Sequence, residues 1–206
     1  MRILVLADIE SPIFWDYFKA DYFKDIDMIL ACGDLDPNYL TFLATLTHPP
    51  IVYVPGNHDK KYLTDPPEGC ILADDRLVVV KGVRIVGLGG SMMYNKGPYQ
   101  YTQAQMYRRA ASLWLPILFH HGFDILLTHA PAYGIGDGED LPHVGFKAFN
   151  KLIQRYHPKL MVHGHVHLNY GFRIPREQEL EGTRIINAFE RYIVEIPDLN
   201  SNEKNL

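Results

Sequence analysis

The amino-acid sequence predicts an α/β domain with two β layers, and three observations carry that reading. Short apolar runs rich in β-branched residues recur at residues 3–7, 28–32 and 51–54, as expected of strands covered on both faces. Cap-and-proline pairs, Ser11-Pro12 and Asp36-Pro37, fall between them and open helical segments. The resulting β-α-β-α-β order implies a parallel sheet with right-handed crossovers. A second group of strand-like runs between residues 77 and 196 supplies the other layer.

Taken in order, residues 13–24 and 37–46 read as helices between the first three strands. Residues 77–81 and 83–88 flank Gly82 as a hairpin. Residues 102–119 are helical in pattern, with Pro116 placed to kink or shorten the helix. A strand at 125–128 leads into a Gly/Asp-rich loop at 130–142 and a helix at 145–156. Strands at 160–163, 170–174, 184–188 and 192–196 complete the series. No repeat or linker interrupts the pattern, so one domain over residues 1–206 is expected, with the polar stretch 198–206 a frayed tail.

Composition bounds the function. Apolar residues make up 47% of the 206 and charged residues 21%, enough to bury a core. The net charge is −4, and no Lys/Arg run exceeds two residues, which argues against binding nucleic acid by neutralising phosphates. Cys32 and Cys70 are the only cysteines, so neither a disulfide framework nor a thiolate zinc site is expected, and a reducing cytoplasm fits. The opening apolar run stops at Asp8, short of a signal-peptide core, and nothing later approaches ~18 apolar residues. A cytoplasmic protein without membrane contact is the expectation.

Metal-capable side chains follow five of the predicted strands. They are Asp8 and Glu10 after the first, Asp34 after the second, and Asn57, His58 and Asp59 after the third. Later come His129 in "LLTHAP" and His163, His165 and His167 in "VHGHVH". A parallel sheet gathers such residues beyond the carboxyl ends of its strands. Carboxylates, imidazoles and an amide suit manganese, iron, zinc or magnesium. The set exceeds what one tetrahedral ion needs and would serve two ions ~3.5–4 Å apart, bridged by a carboxylate and a water.

The ordered blocks Asp8-Ile9-Glu10, Gly33-Asp34, Gly56-Asn57-His58-Asp59, His129 and Gly164-His165-Val166-His167 resemble the calcineurin-like metallophosphoesterase superfamily. Its pattern is D-x-H, G-D, G-N-H-D/E, H and G-H-x-H. The resemblance implies a four-layer α/β/β/α sandwich, with two mixed sheets flanked by helices and a dinuclear site between the sheets. It implies that Asp8 and His167 bind one divalent ion, that Asn57, His129 and His165 bind the other, and that Asp34 bridges them, with manganese the first choice of metal. Activity would be hydrolysis of a small phosphomonoester or phosphodiester, such as a nucleotide, by a metal-bridging hydroxide. His58 would assist the leaving oxygen, and Asp59 would orient His58 by a hydrogen bond.

One position departs from the pattern: Glu10 stands where the superfamily has histidine. It can substitute as a ligand, but its charge weakens the pull on phosphate. The alternative this opens is a non-catalytic binding or scaffold protein on the same fold. His163 reads as a strand histidine, and His120 and His121 as helix-end residues. His143, at the entry to the helix after the Gly/Asp-rich loop, reads as a structural residue or a substrate contact, and the loop 91–101 as a pocket wall or a solvated loop.

Overall fold

The computed structural model describes residues 1–169 and 174–197. Strand β1 (Arg2–Ala7) sends alternate side chains to two buried faces. Ile3, Val5 and Ala7 enter one apolar cluster, and Leu4 and Leu6 another. β2 (Met28–Ala31), β3 (Ile51–Tyr53) and β4 (Ile71–Leu72) follow β1 in parallel. Helix α1 (Pro37–Leu46) lies between β2 and β3, capped by Asp36, whose side chain accepts from the Asn38 N–H. The chain then enters a second sheet through the antiparallel pair β5 (Arg76–Val80) and β6 (Val83–Leu88). Next come a two-stranded ribbon, β7 (Ser91–Met92) with β8 (Gln100–Tyr101), and helices α2 (Gln103–Ser112) and α3 (Trp114–Phe119). β9 (Ile125–Thr128), helix α4 (Lys147–Tyr156), β10 (Leu160–His163), β11 (Glu177–Leu180) and β12 (Thr183–Asn187) extend the second sheet. β13 (Glu190–Glu195) returns to the first, antiparallel to β1.

The sheet orders are β13-β1-β2-β3-β4 and β11-β12-β10-β9-β6-β5. One apolar cluster joins the two sheets face to face, through residues such as Val5, Leu30 and Val52 on one side and Ile85, Leu127 and Val162 on the other. A second packs α2, α3 and α4 on the outer face of the larger sheet, and a third packs α1 on the outer face of the smaller. These are the four layers of an α/β/β/α sandwich, with both sheets mixed.

Residues 13–24 do not form the expected helix. They fold as two 3-10 turns, Pro12–Phe14 and Ala20–Phe23. The rings of Phe14 and Phe23 lie 4.9 Å apart, whereas on an α-helix a nine-residue separation would put them on opposite faces and ~13 Å apart along the axis. Aromatic packing here overrides the local signal. The segment 102–119 splits at Leu113 into α2, which a Thr102–Gln105 capping box opens, and α3. Pro116 has no N–H to give the Ser112 carbonyl, which is where α2 stops. The strand expected at 170–174 lies outside the described residues except for Ile174, which is irregular. The stretch 198–206 is also outside them. β11, the short strands β4, β7 and β8, and a 3-10 turn at Lys60–Leu63 were not anticipated.

Candidate metal centre

Several parallel strands end in a tight turn that delivers a polar side chain. Asp8, Asp34 and His165 have φ of 66°, 56° and 68°, left-handed backbone that non-glycine residues adopt sparingly and that concentrates at functional sites. The loops after β2 and β3 pass backbone against backbone. A Cβ on Gly33 would lie 2.2 Å from the Gly56 nitrogen, and one on Gly56 would lie 2.1 Å from Asp34 Oδ1. Only glycine permits that approach.

Reciprocal hydrogen bonds stitch these loops together. Asp59 Oδ2 accepts from the backbone N–H of Gly56 at 2.7 Å and of Asp34 at 2.8 Å. Asp34 Oδ1 accepts from the His58 N–H at 2.8 Å. Among the described residues, the hydrogen bond expected from Asp59 to the His58 ring is not found. Asp59 is buried and faces two backbone donors, while His58 is exposed at the rim.

His129 is fully buried at the end of β9. Its Nδ1 lies 2.7 Å from the Cys32 carbonyl oxygen, which can only accept, so Nδ1 carries a hydrogen. Nε2 then faces two more oxygens, Asn57 Oδ1 at 2.9 Å and Asp34 Oδ2 at 3.4 Å. A neutral ring would set a lone pair against acceptors there, so the spot calls for positive charge, either a proton or a metal ion. Ligand atoms of Asp34, His129 and His165 all lie within 4.8 Å of one another, a nitrogen and oxygen set that fits a borderline or hard divalent ion. His165 Nε2 sits 2.8 Å from the Pro142 carbonyl oxygen, so that nitrogen holds the hydrogen and Nδ1 keeps its lone pair. The His165 N–H bonds both oxygens of Asp8, at 2.8 and 3.0 Å.

The structure thus brings Asp34, Asn57, His129 and His165 together, with Asp8 tied to the His165 turn. His167 is half-buried, its ring 4.8 Å from that of Phe189. His143 stands on the rim, 5.1 Å ring to ring from His165, with Nδ1 2.7 Å from Asp140 Oδ2. Glu10 Oε1 accepts from the Asp36 N–H at 2.9 Å, at the start of α1 and two residues from Asp34. His163 is buried in β10 against the Gly164 carbonyl at 3.0 Å. Sequence reasoning missed Tyr94 as a partner of the site; its hydroxyl accepts from Asn57 Nδ2 at 3.2 Å.

A family model described as calcineurin-like phosphoesterase matches residues 1–169. The chain belongs to that family. The human and mouse proteins named "Metallophosphoesterase domain-containing protein 1" are each 32% identical to it over 105 residues. The match covers 50% of this chain and 31% of each relative, so the similarity spans under a third of their length. The crystal structure of TT1561 of Thermus thermophilus shares the fold, with a TM-score of 0.67, 18% identity, and coverage of 92% of this chain and 89% of that one.

In this calcineurin-like centre, the buried groups shift one another's protonation. Burial raises the Asp8 carboxyl to about 7, against the pull of His129 and the His165 N–H. Burial and the neighbouring Asp34 carboxylate raise Asp59 to about 7 as well. Burial would also raise Asp34, but His129 and the His58 N–H hold it below the usual carboxylate range. Burial opposes protonation of His129, yet Asp34 and Asp8 prevail and push it up to about 9. Burial and the His129 charge lower His165 to about 3.

A pH dependence follows for the metal-free protein. A histidine raised in the folded state contributes stability that is complete below the unfolded value of 6.5 and lost as pH rises through about 9. Asp8 and Asp59, raised to about 7, act in the same direction. The lowered histidines oppose this only below their unfolded value. Chelator-treated protein is therefore expected to melt several degrees lower at pH 9.5 than at pH 7. Added manganese should narrow the gap, because the ion replaces the proton. Scanning calorimetry at the two pH values checks this, and a melting point that rises with pH would refute the charge assignment.

Proposed function

We propose that the protein is a metal-dependent hydrolase of a small phosphomonoester or phosphodiester, with a nucleotide among the candidate substrates. The observation that carries this reading is the convergence of Asp34, His129 and His165, with the Asn57 oxygen, on a spot that needs positive charge. Asn57, His129 and His165 would hold one divalent ion, Asp8 and His167 a second, and Asp34 both. Manganese is the first metal to try. The ions would supply Lewis-acid charge for phosphate oxygens and lower the pKa of water. Glu10 accepts the Asp36 N–H through Oε1, and its second oxygen would be the one to join the donor set.

The chain's own groups divide the remaining work. His58 sits on an exposed turn whose N–H is fixed to Asp34, so its ring can reach a phosphoester bound beside that carboxylate and protonate the departing oxygen. Asp59 and the glycine contact hold the two ligand loops in register. His143, beside His165 on the rim, would contact substrate. Among the described residues no helix is long and apolar enough to cross a membrane, in keeping with a cytoplasmic setting and a diffusible substrate.

The test is metal content of the purified protein, with turnover of nitrophenyl phosphate and bis-nitrophenyl phosphate after adding manganese. Two ions per chain with hydrolysis of either ester supports the reading and identifies the ester class. No bound ion and no turnover would favour a binding protein on this fold.

A further inference from the structure

An asparagine that binds a cation through its side chain must present oxygen, yet the two ends of its amide are nearly the same shape. A half-turn of the amide would aim two N–H donors at the ion. At Asn57 the oxygen faces His129 Nε2 at 2.9 Å, and the nitrogen donates to the Tyr94 hydroxyl at 3.2 Å. A cation at this spot would draw both His129 Nε2 and Asn57 Oδ1, and their mutual contact would no longer orient the amide. Tyr94 is then the side-chain contact that still holds the amide. We infer that Tyr94 is a positioning residue: its hydroxyl takes the Asn57 Nδ2–H and so holds the amide where its oxygen faces the ion site. This rests on the metal-dependent reading above.

Tyr94 is itself held in place. Gln100, buried in β8, accepts through Oε1 from the N–H groups of Tyr94 and Asn95, each at 3.1 Å, and donates through Nε2 to Asn95 Oδ1 at 2.7 Å. The next residue, Tyr101, lies under the Arg109 guanidinium at 4.0 Å. Arg109 bonds Asp74, Asp75 and the Gly89 carbonyl. The backbone of Tyr94 is thus tied through β8 to α2 and to the residues flanking β5 and β6.

The experiment is a double-mutant cycle read by calorimetric titration of metal-free protein with manganese. Tyr94→Phe keeps the ring and removes the hydroxyl, and is expected to weaken one binding event about 10- to 100-fold, as loss of an outer-shell hydrogen bond does. A carboxylate has two equivalent oxygens and needs no such orientation. In an Asn57→Asp background the same substitution should therefore cost less affinity than it does beside Asn57, because a rotated carboxylate still presents an oxygen to the ion. An unchanged isotherm in Tyr94→Phe overturns the inference, and so does an equal loss in both backgrounds. Should Asn57→Asp not fold, the Asn57 side-chain amide signals in NMR decide: unaltered shifts and exchange in Tyr94→Phe would also overturn it. Failure of the unmutated protein to bind manganese would instead overturn the metal-dependent reading.

Discussion

His58→Ala is expected to lower turnover of an alkyl phosphoester by about 10²- to 10⁴-fold, the range for loss of a general acid, while metal content stays at the wild-type level. The side chain is exposed, and His58 is tied to the donor set through its backbone N–H, which bonds Asp34 Oδ1 and which alanine retains. Nothing buried is orphaned, so the melting temperature should move little. A nitrophenyl ester should suffer much less, because its leaving group is already a stable anion and gains little from a proton. Measuring kcat on both esters, with metal analysis of each sample, separates the possible roles. Equal losses on the two esters would make His58 a stabiliser of phosphate charge and not a proton donor. A drop in bound metal would place it among the ligands.

What was legible in the sequence was what lies within one strand and the turn that follows it. Asp34 and Asn57 follow parallel strands of the smaller sheet, and His129 and His165 follow parallel strands of the larger; each stands within a few residues of an apolar run, at the carboxyl end where such residues collect. Contacts between distant turns were not legible. The family resemblance implies a bond from Asp59 to the His58 ring. Asp59's real partners, Asp34 and Gly56, follow from the close passage of two glycine turns. Glu10 occupies a motif position, but the free N–H at the start of α1 competes for its carboxylate. Tyr94 lies 37 residues from Asn57 in a loop that reads as a pocket wall at most. The 13–24 segment misled because its aromatic rings pack on one another and on α1, where Trp15 meets Phe42 at 4.9 Å. Helical pattern gives no sign of that. β11 is an edge strand half open to solvent, so its charged residues carry little apolar alternation.

Asp59→Ala is expected to be among the most destabilising single changes near the site, while Asp59→Asn should be mild. Both backbone donors bond the same oxygen, Oδ2. Alanine would leave the Gly56 and Asp34 N–H groups unpaired, and one of those bonds is fully buried. At about 1–3 kcal/mol for each orphaned group, the loss is about 2–6 kcal/mol, and the turns that set Asp34 and Asn57 would separate. Manganese affinity should fall with stability. Asparagine can place its amide oxygen where Oδ2 stands and keep both bonds. It also removes a carboxyl that burial and Asp34 already push up to about 7, so little charge interaction is lost at neutral pH. The pair of variants distinguishes the role seen here from that of a carboxylate orienting His58. A structural tie predicts that Asn retains most of the melting temperature, metal binding and turnover while Ala loses all three. An orienting carboxylate predicts normal metal content in both variants and a comparable fall in kcat. Denaturant unfolding, manganese titration and kcat measured on the two variants side by side would decide between them.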